Sequence, residues 1–285
     1  MADPRVQNLD NFTPTQHQKP GPTLLSALDN TTNDGSSNSM QHYHVCIIGA
    51  RLQSPSASGE GPGRTPPRSR SRARRFPRTA AVHVRHCDVA SADSVADLAR
   101  FVRATLAGGR LDVLALNSGY AGAVQLRITD GAPGDGEWAR AFAVNVQGTY
   151  HAAHHFVPLL LASGRGAKAF VVVGSMAQTR IVEHLACQFG AEDAGGLLAV
   201  AVHPGAVLTE SAARNTPDEF KPYLIDDPEL CGAFCVWLTR NASSMRWLNG
   251  RLVSATWDPD ELLGKKEEII NGDLLKYEAI TRSTY

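Results

Sequence analysis

Read as a string of apolar and polar positions, the chain falls into a polar head, a broken stretch and a long region of regular alternation. Residues 1–43 carry few aliphatics, with Asn, Thr, Ser and Gly crowded into LDNTTNDGSSNSM. Such a stretch buries too little surface to offset its ordering entropy, which predicts a tail. HVCIIG at 44–49 is a short apolar run ending in glycine and predicts a buried strand. Order then lapses: residues 51–79 hold eight Arg, five Ser, five Pro and three Gly, with Leu52 and Phe76 the large apolar residues among them. Neither a helical nor a strand period survives there, and the stretch is a low-complexity loop.

From Ala80 onward, apolar runs alternate with amphipathic ones. Strands are predicted at AAVHVRH (80–86), LDVLAL (111–116), KAFVVVG (168–174), LLAVAVH (197–203) and GRLVSA (250–255). Between them, Ser91 caps a helix whose Val95, Leu98, Val102 and Leu106 recur at spacings of three and four, and Gly108-Gly109 ends it. A long helix is predicted over 137–161 and another over 177–189. Asp227-Pro228 opens a third, as cap and first residue, running to about Thr239. Near-continuous apolar strands alternating with helices specify a parallel sheet covered on both faces. The predicted fold is therefore α/β: a Rossmann-like doubly wound parallel sheet over residues 44–285, preceded by the 1–43 tail. The 51–79 loop damages its first βαβ unit.

Composition narrows the partners. Lys+Arg 28 against Asp+Glu 28 leaves no net field to attract nucleic acid or an anionic membrane. No apolar run approaches the length of a membrane span, and the opening MADPRVQNLDNF lacks a signal-peptide plan, so a cytoplasmic protein is expected. Five cysteines without a CxxC pair argue against a disulfide framework or a structural zinc site, and no metal is expected. SRSRARR (69–75) reads as a solvated loop rather than a nucleic-acid patch. His151 and His155 have metal-ligand spacing but no recognisable third ligand, and Cys231 and Cys235 read as small buried residues on one helix face.

In open parallel sheets, ligands sit at the carboxyl ends of the strands. Those ends carry Cys87-Asp88-Val89, Asn117-Ser118-Gly119, Ser175 and HPGAVLT (203–209), while Asn145 lies in AVNVQGTY inside the long helix. In this order the motifs resemble the short-chain dehydrogenase/reductase family, from about Ala80 to about Ala255, with 44–49 in the place of the first strand. The final stretch, RWLNGRLVSATWDPDELLGKKEEI, resembles fungal members, many of which serve secondary metabolism. The resemblance implies NADP or NAD as cofactor and a small-molecule carbonyl or alcohol as substrate. It implies that Gly49 opens the cofactor loop, that Asp88 contacts the adenine, and that Asn117 and Gly119 wall the cofactor. Pro204, Gly205, Val207 and Thr209 would hold the nicotinamide end, with Thr209 on the carboxamide. Ser175 would bond the substrate oxygen and Asn145 would hold a water of the proton relay. It also implies assembly through the helices at 137–161 and 177–189. Read without the resemblance, Asn117-Ser118-Gly119 and Pro204-Gly205 are ordinary turns, Ser175 is a strand-end hydroxyl, Asn145 is a helix-kinking amide and Asp88 is a turn or cap residue.

Two parts of that pattern are missing. The family's acid/base is a Tyr with a Lys four residues on, about thirteen residues beyond the serine. Those positions hold Gln188 and Glu192, and no tyrosine of this chain has Lys four residues later. His184 is a conceivable base or a surface histidine of its helix. The family also places TGxxxGxG after the first strand. Gly49 fits its first glycine, but Gln53 and Pro55 occupy the later positions, and Gly59, Gly61 and Gly63 lie farther on, in GEGPG. The residue that reads the ribose would fall inside the altered loop, where Arg64 is a weak pointer to a 2′-phosphate. Three classes stay open: an impaired NAD(P)-dependent oxidoreductase, a catalytically inactive binding protein of the same fold, and a nucleic-acid binder through the Arg-rich loop.

Overall fold

The protein is described from a computed structural model that covers residues 43–49 and 83–277, apart from 123–126, 128, 131, 133, 135, 165, 175 and 191–194. The predicted tail up to residue 42, the 51–79 loop with Gly59, Gly61, Gly63, Arg64 and SRSRARR, and Ser175 lie outside the described residues. The elements are β1 (Val45–Ile48), α1 (Ala92–Thr105), β2 (Val113–Leu116), α2 (Glu137–Phe142), a π turn (Ala143–Gln147), α3 (Gly148–Leu161), β3 (Ala169–Val173), α4 (Met176–Phe189), β4 (Leu198–His203), α5 (Glu210–Asn215), α6 (Pro228–Arg240), β5 (Leu252–Ser254), α7 (Pro259–Gly264) and α8 (Lys266–Asn271). No described helix is long and apolar enough to cross a membrane.

The five strands form one parallel sheet in the order β1-β2-β3-β4-β5. Successive strand residues point to opposite faces, so each apolar strand feeds two cores. Val113, Ala169, Val171, Leu198, Val200 and Val202 pack on one side with Leu230, Phe234 and Leu238 of α6. Leu114, Leu116, Phe170, Val172, Ala199 and Ala201 pack on the other with Val95 and Val102 of α1, Phe156 and Leu160 of α3, and Val182 of α4. This is the α/β sheet, covered on both faces, that the apolar runs predict.

The helix ends follow the local chemistry. The Ser91 hydroxyl accepts from Ser94 N, the Asp227 carboxylate from Glu229 N, and Asp258 from Asp260 N and Glu261 N. Past α1, Gly108 and Gly109 both take left-handed backbone, at φ 68° and 64°.

Two expectations are corrected. The strand expected at 80–86 is not formed by its described part: residues 83–86 are exposed and carry no ladder bond. A strand needs a partner edge, and among the described residues β1 pairs with β2 alone. The segment instead lies on α1, with the Arg85 guanidinium 4.1 Å from the Phe101 ring centre and His83 edge-on to the same ring. On β1, Val45 and Ile47 stay 52% and 57% exposed. The helix expected as one unit over 137–161 is interrupted by the π turn, whose extra residue a 3.6-residue period does not register.

Candidate functional site

The carboxyl ends of β2, β3 and β4 open onto a cleft of about 310 Å³. Its floor follows from how the strand-end loops approach one another. Asn117 N donates to Ile48 O at 2.8 Å, carrying the β1–β2 pairing into the loop. Gly49 has φ +94°, and a Cβ there would lie 2.4 Å from Ser118 N, so the close approach of the two strand ends is itself a reason for glycine. The Ser118 hydroxyl is buried and has no hydrogen-bond partner among the described residues. Gly119, which lines the cleft, differs: its backbone is not left-handed, and a Cβ would find nothing nearer than Asn145 Oδ1 at 3.9 Å. Packing does not demand glycine here, and the absent side chain leaves the cleft open.

The π turn places Asn145. Its Oδ1 accepts from Tyr120 N at 2.9 Å and its Nδ2 donates to Tyr120 O at 2.8 Å, so one amide brackets both backbone groups of Tyr120. The Asn145 carbonyl accepts from Thr149 Oγ1 at 2.7 Å. The Tyr120 phenol donates to Glu137 Oε2 at 2.6 Å, and Arg140 Nη1 donates to the phenol oxygen at 3.2 Å. At the end of β3, Gly174 N bonds Val202 O, and the buried Gln178 of α4 forms part of the wall.

The β4 end is held by an acid. Asp226 Oδ2 accepts from Ala206 N at 2.6 Å, and Ala206 O accepts from Asp226 N at 3.0 Å. Gly205, at φ +90°, leaves no room for a Cβ, which would sit 2.7 Å from that carboxylate. Gly205 N donates to His203 Nδ1 at 3.2 Å, which places the proton of the neutral ring on Nε2. Burial lowers the His203 pKa below the usual imidazole value, partly opposed by the Asp226 charge. Thr209 caps α5, its Oγ1 accepting from Ala212 N at 3.1 Å, and Asn215 Nδ2 ties α5 across to Ala121 O at 2.9 Å.

Of the residues singled out from sequence, the cleft gathers Gly119, Asn145 and Pro204. Asn117, Gly205, Val207 and Thr209 adjoin it in the chain without lining it. Gly49 stands at the β1 end. Asp88 heads α1, where its Oδ1 accepts from Ala90 N and its carbonyl from Ser91 N, the local turn chemistry of its plain reading. Tyr120, Gln178, His203 and Ser211 also line the cleft and were not singled out. Tyr120 directly follows Asn117-Ser118-Gly119 and His203 heads HPGAVLT, so adjacency was their one available signal; Gln178 and Ser211 had none. His151 Nδ1 pairs with Val89 O at 3.1 Å, and among the described residues no three His, Cys, Asp or Glu side chains gather as a metal ion requires.

The arrangement suits a flat, polar-edged ligand laid across strand ends kept clear of side chains. Gly119 leaves its space open, and the β4 loop is pre-set by Asp226. These features fit the nicotinamide half of a dinucleotide; the phosphate cradle would fall to residues outside those described.

Comparison with known proteins gives a consistent picture. A family model described as enoyl-(acyl carrier protein) reductase matches residues 65–200. The short chain dehydrogenase mpl6 of Monascus purpureus is 40% identical over 210 residues, covering 68% of this chain and 68% of the relative. The short chain dehydrogenase pgmD of Aspergillus terreus is 35% identical over 190 residues, 59% of each chain. The short chain dehydrogenase andI of Emericella variicolor is 32% identical over 203 residues, 66% of this chain and 67% of the relative.

Proposed function

Because the chain belongs to the short-chain dehydrogenase family, we propose that its strand-end cleft binds a nicotinamide dinucleotide. There it serves carbonyl reduction or alcohol oxidation on a small molecule, slowly in this chain. The observation that carries the reading is Gly119: a cleft-lining glycine that neither backbone strain nor packing explains. Pro204, Gly205, Val207 and Thr209 hold the nicotinamide end. The Thr209 hydroxyl, whose oxygen takes the cap bond, would donate its proton to the carboxamide, and Asn117 and Gly119 would form the wall. Gly49 borders the phosphates and Asp88 reaches the adenine. Ser175 bonds the substrate oxygen, and Asn145 holds a relay water while bracing Tyr120. The nicotinamide, when bound, supplies the two-electron chemistry. NADP is the preferred form, the substrate belongs to fungal secondary metabolism, and the protein works in the cytoplasm without nucleic acid or membrane. Copies pair through α2–α3 and α4.

A second reading, a catalytically inactive binding protein, is favoured by the lack of any Tyr with Lys four residues later. One experiment separates them. NADPH titrated into the full chain by fluorescence is expected to saturate, and Gly119→Val is expected to weaken that binding at least about tenfold by filling the cleft, with the melting temperature unchanged. Slow oxidation of NADPH with 9,10-phenanthrenequinone supports the enzyme. Binding without oxidation supports the inactive protein. Absence of binding overturns both.

A further inference from the structure

The geometry points to Tyr120 as the proton donor of this cleft, with the Arg140 guanidinium in the electrostatic place of the lost lysine. The inference rests on the nicotinamide-dependent reading above. A carbonyl oxygen that gains charge needs a proton, and the sequence lacks the family's usual donor. Five described lining residues carry an exchangeable side-chain proton on nitrogen or oxygen: Tyr120, Asn145, Gln178, His203 and Ser211. The two amides and the serine hydroxyl are far too weak as acids. The His203 ring is kept neutral near pH 7 by its burial, and a neutral imidazole N–H is a far weaker acid than a phenol.

Tyr120 is set up differently. Asn145 fixes its backbone on both sides, so the ring hangs from a braced point. Its hydroxyl lies between Glu137 Oε2 at 2.6 Å and Arg140 Nη1 at 3.2 Å, and the Arg140 guanidinium stands 5.4 Å from the ring centre. When the phenol gives up its proton, the guanidinium bond to its oxygen remains and becomes charge-assisted, beside the Glu137 carboxylate. The Arg140 side chain is 60% exposed, so the guanidinium beside the phenol meets water.

The step balances as follows. A C–H bond forms at the carbonyl carbon with a hydride from a reduced nicotinamide, which ends oxidised. The carbonyl π pair moves onto oxygen. The Tyr120 hydroxyl would turn its proton from Glu137 Oε2 to that oxygen, which takes it as the phenol O–H bond breaks, giving the alcohol, and the phenolate recovers a proton from water beside Arg140.

The full chain tests this with 9,10-phenanthrenequinone and NADPH, alongside quinone binding to the cofactor-free protein by tryptophan quenching. Tyr120→Phe is expected to lower kcat about 100-fold while leaving NADPH affinity unchanged. It is also expected to weaken quinone binding about three- to tenfold through the lost hydrogen bond. Arg140→Met is expected to lower kcat about tenfold, with Arg140→Lys restoring most of it. Wild-type turnover retained in Tyr120→Phe overturns the proton-donor role and leaves the cofactor reading standing. NADPH binding without any wild-type turnover does the same. Failure of the wild type to bind NADPH overturns both.

Discussion

Asp112→Ala is expected to destabilise the protein by about 3 kcal/mol, the cost of taking a charged acceptor away from a buried hydrogen-bonded donor. The Asp112 side chain is 0% exposed. Its Oδ2 accepts from His44 N at 2.8 Å and from Arg110 Nη2 at 3.1 Å, and its Oδ1 accepts from Ser163 Oγ at 3.4 Å. The backbone of the same residue donates to His44 O and accepts from Ala169 N, so the residue joins the starts of β1, β2 and β3. Alanine removes the acceptor of the His44 N–H, at about 1–3 kcal/mol, and deletes the contacts from Arg110 and Ser163. For a domain of this size the melting temperature is expected to fall by roughly 10 °C. Thermal unfolding followed by circular dichroism measures it, and a loss below about 1 kcal/mol would mean that water reaches the site.

Phe234→Ala is expected to cost about as much for a different reason. Phe234 on α6 is 0% exposed, packs 5.2 Å from the Trp237 ring at a 50° tilt, and sits in the cluster beneath β3 and β4. Truncation removes the ring's burial and leaves a cavity, typically about 3–5 kcal/mol, whereas Phe234→Leu refills much of the volume and should cost about 1.5 kcal/mol or less. Asp112 feeds the strand starts and Phe234 the opposite helix layer, so the two losses are expected to add. Their sum rivals the whole stability of a typical domain, and the double variant should show no cooperative melt. Urea unfolding of the two single variants and the double variant decides it: a cooperative double variant would show that the two regions share their losses.

The strands and the major helices were legible because their signals are local. AFVVV and LAVAVH are apolar on both faces and match parallel strands buried on both sides. Ser91 and Asp227 announce their helices by cap chemistry alone. Two features escaped because they depend on what is distant in sequence. AAVHVRH has a strand's alternation, but its described part lies on Phe101 without a partner edge, and no period records that. The π turn hides inside an unbroken apolar period. The site was legible to the extent that it uses strand-end motifs, which supplied Gly119, Asn145 and Pro204. Tyr120 and His203 stand beside those motifs, and their surroundings come from Glu137, Arg140 and Asp226, residues that only folding brings near. Gly49 and Gly205 were visible as glycines, yet the structure gives each a steric reason that owes nothing to a ligand.

The π turn also sets how this helix tolerates insertions and deletions. It is one residue more than a regular helical turn needs, and each residue of a helix turns the chain by about 100°. A single-codon deletion within Ala143–Gln147 would let α2 and α3 join as one ordinary helix. Everything upstream, Trp138 and Arg140 included, would then turn by about that angle against α3. The amide of Asn145 would lose its grip on Tyr120. Such a variant should melt much like the parent yet present an altered cleft. A single-residue length change at this point is therefore expected to reshape the cleft wall at Tyr120 while leaving the sheet unchanged.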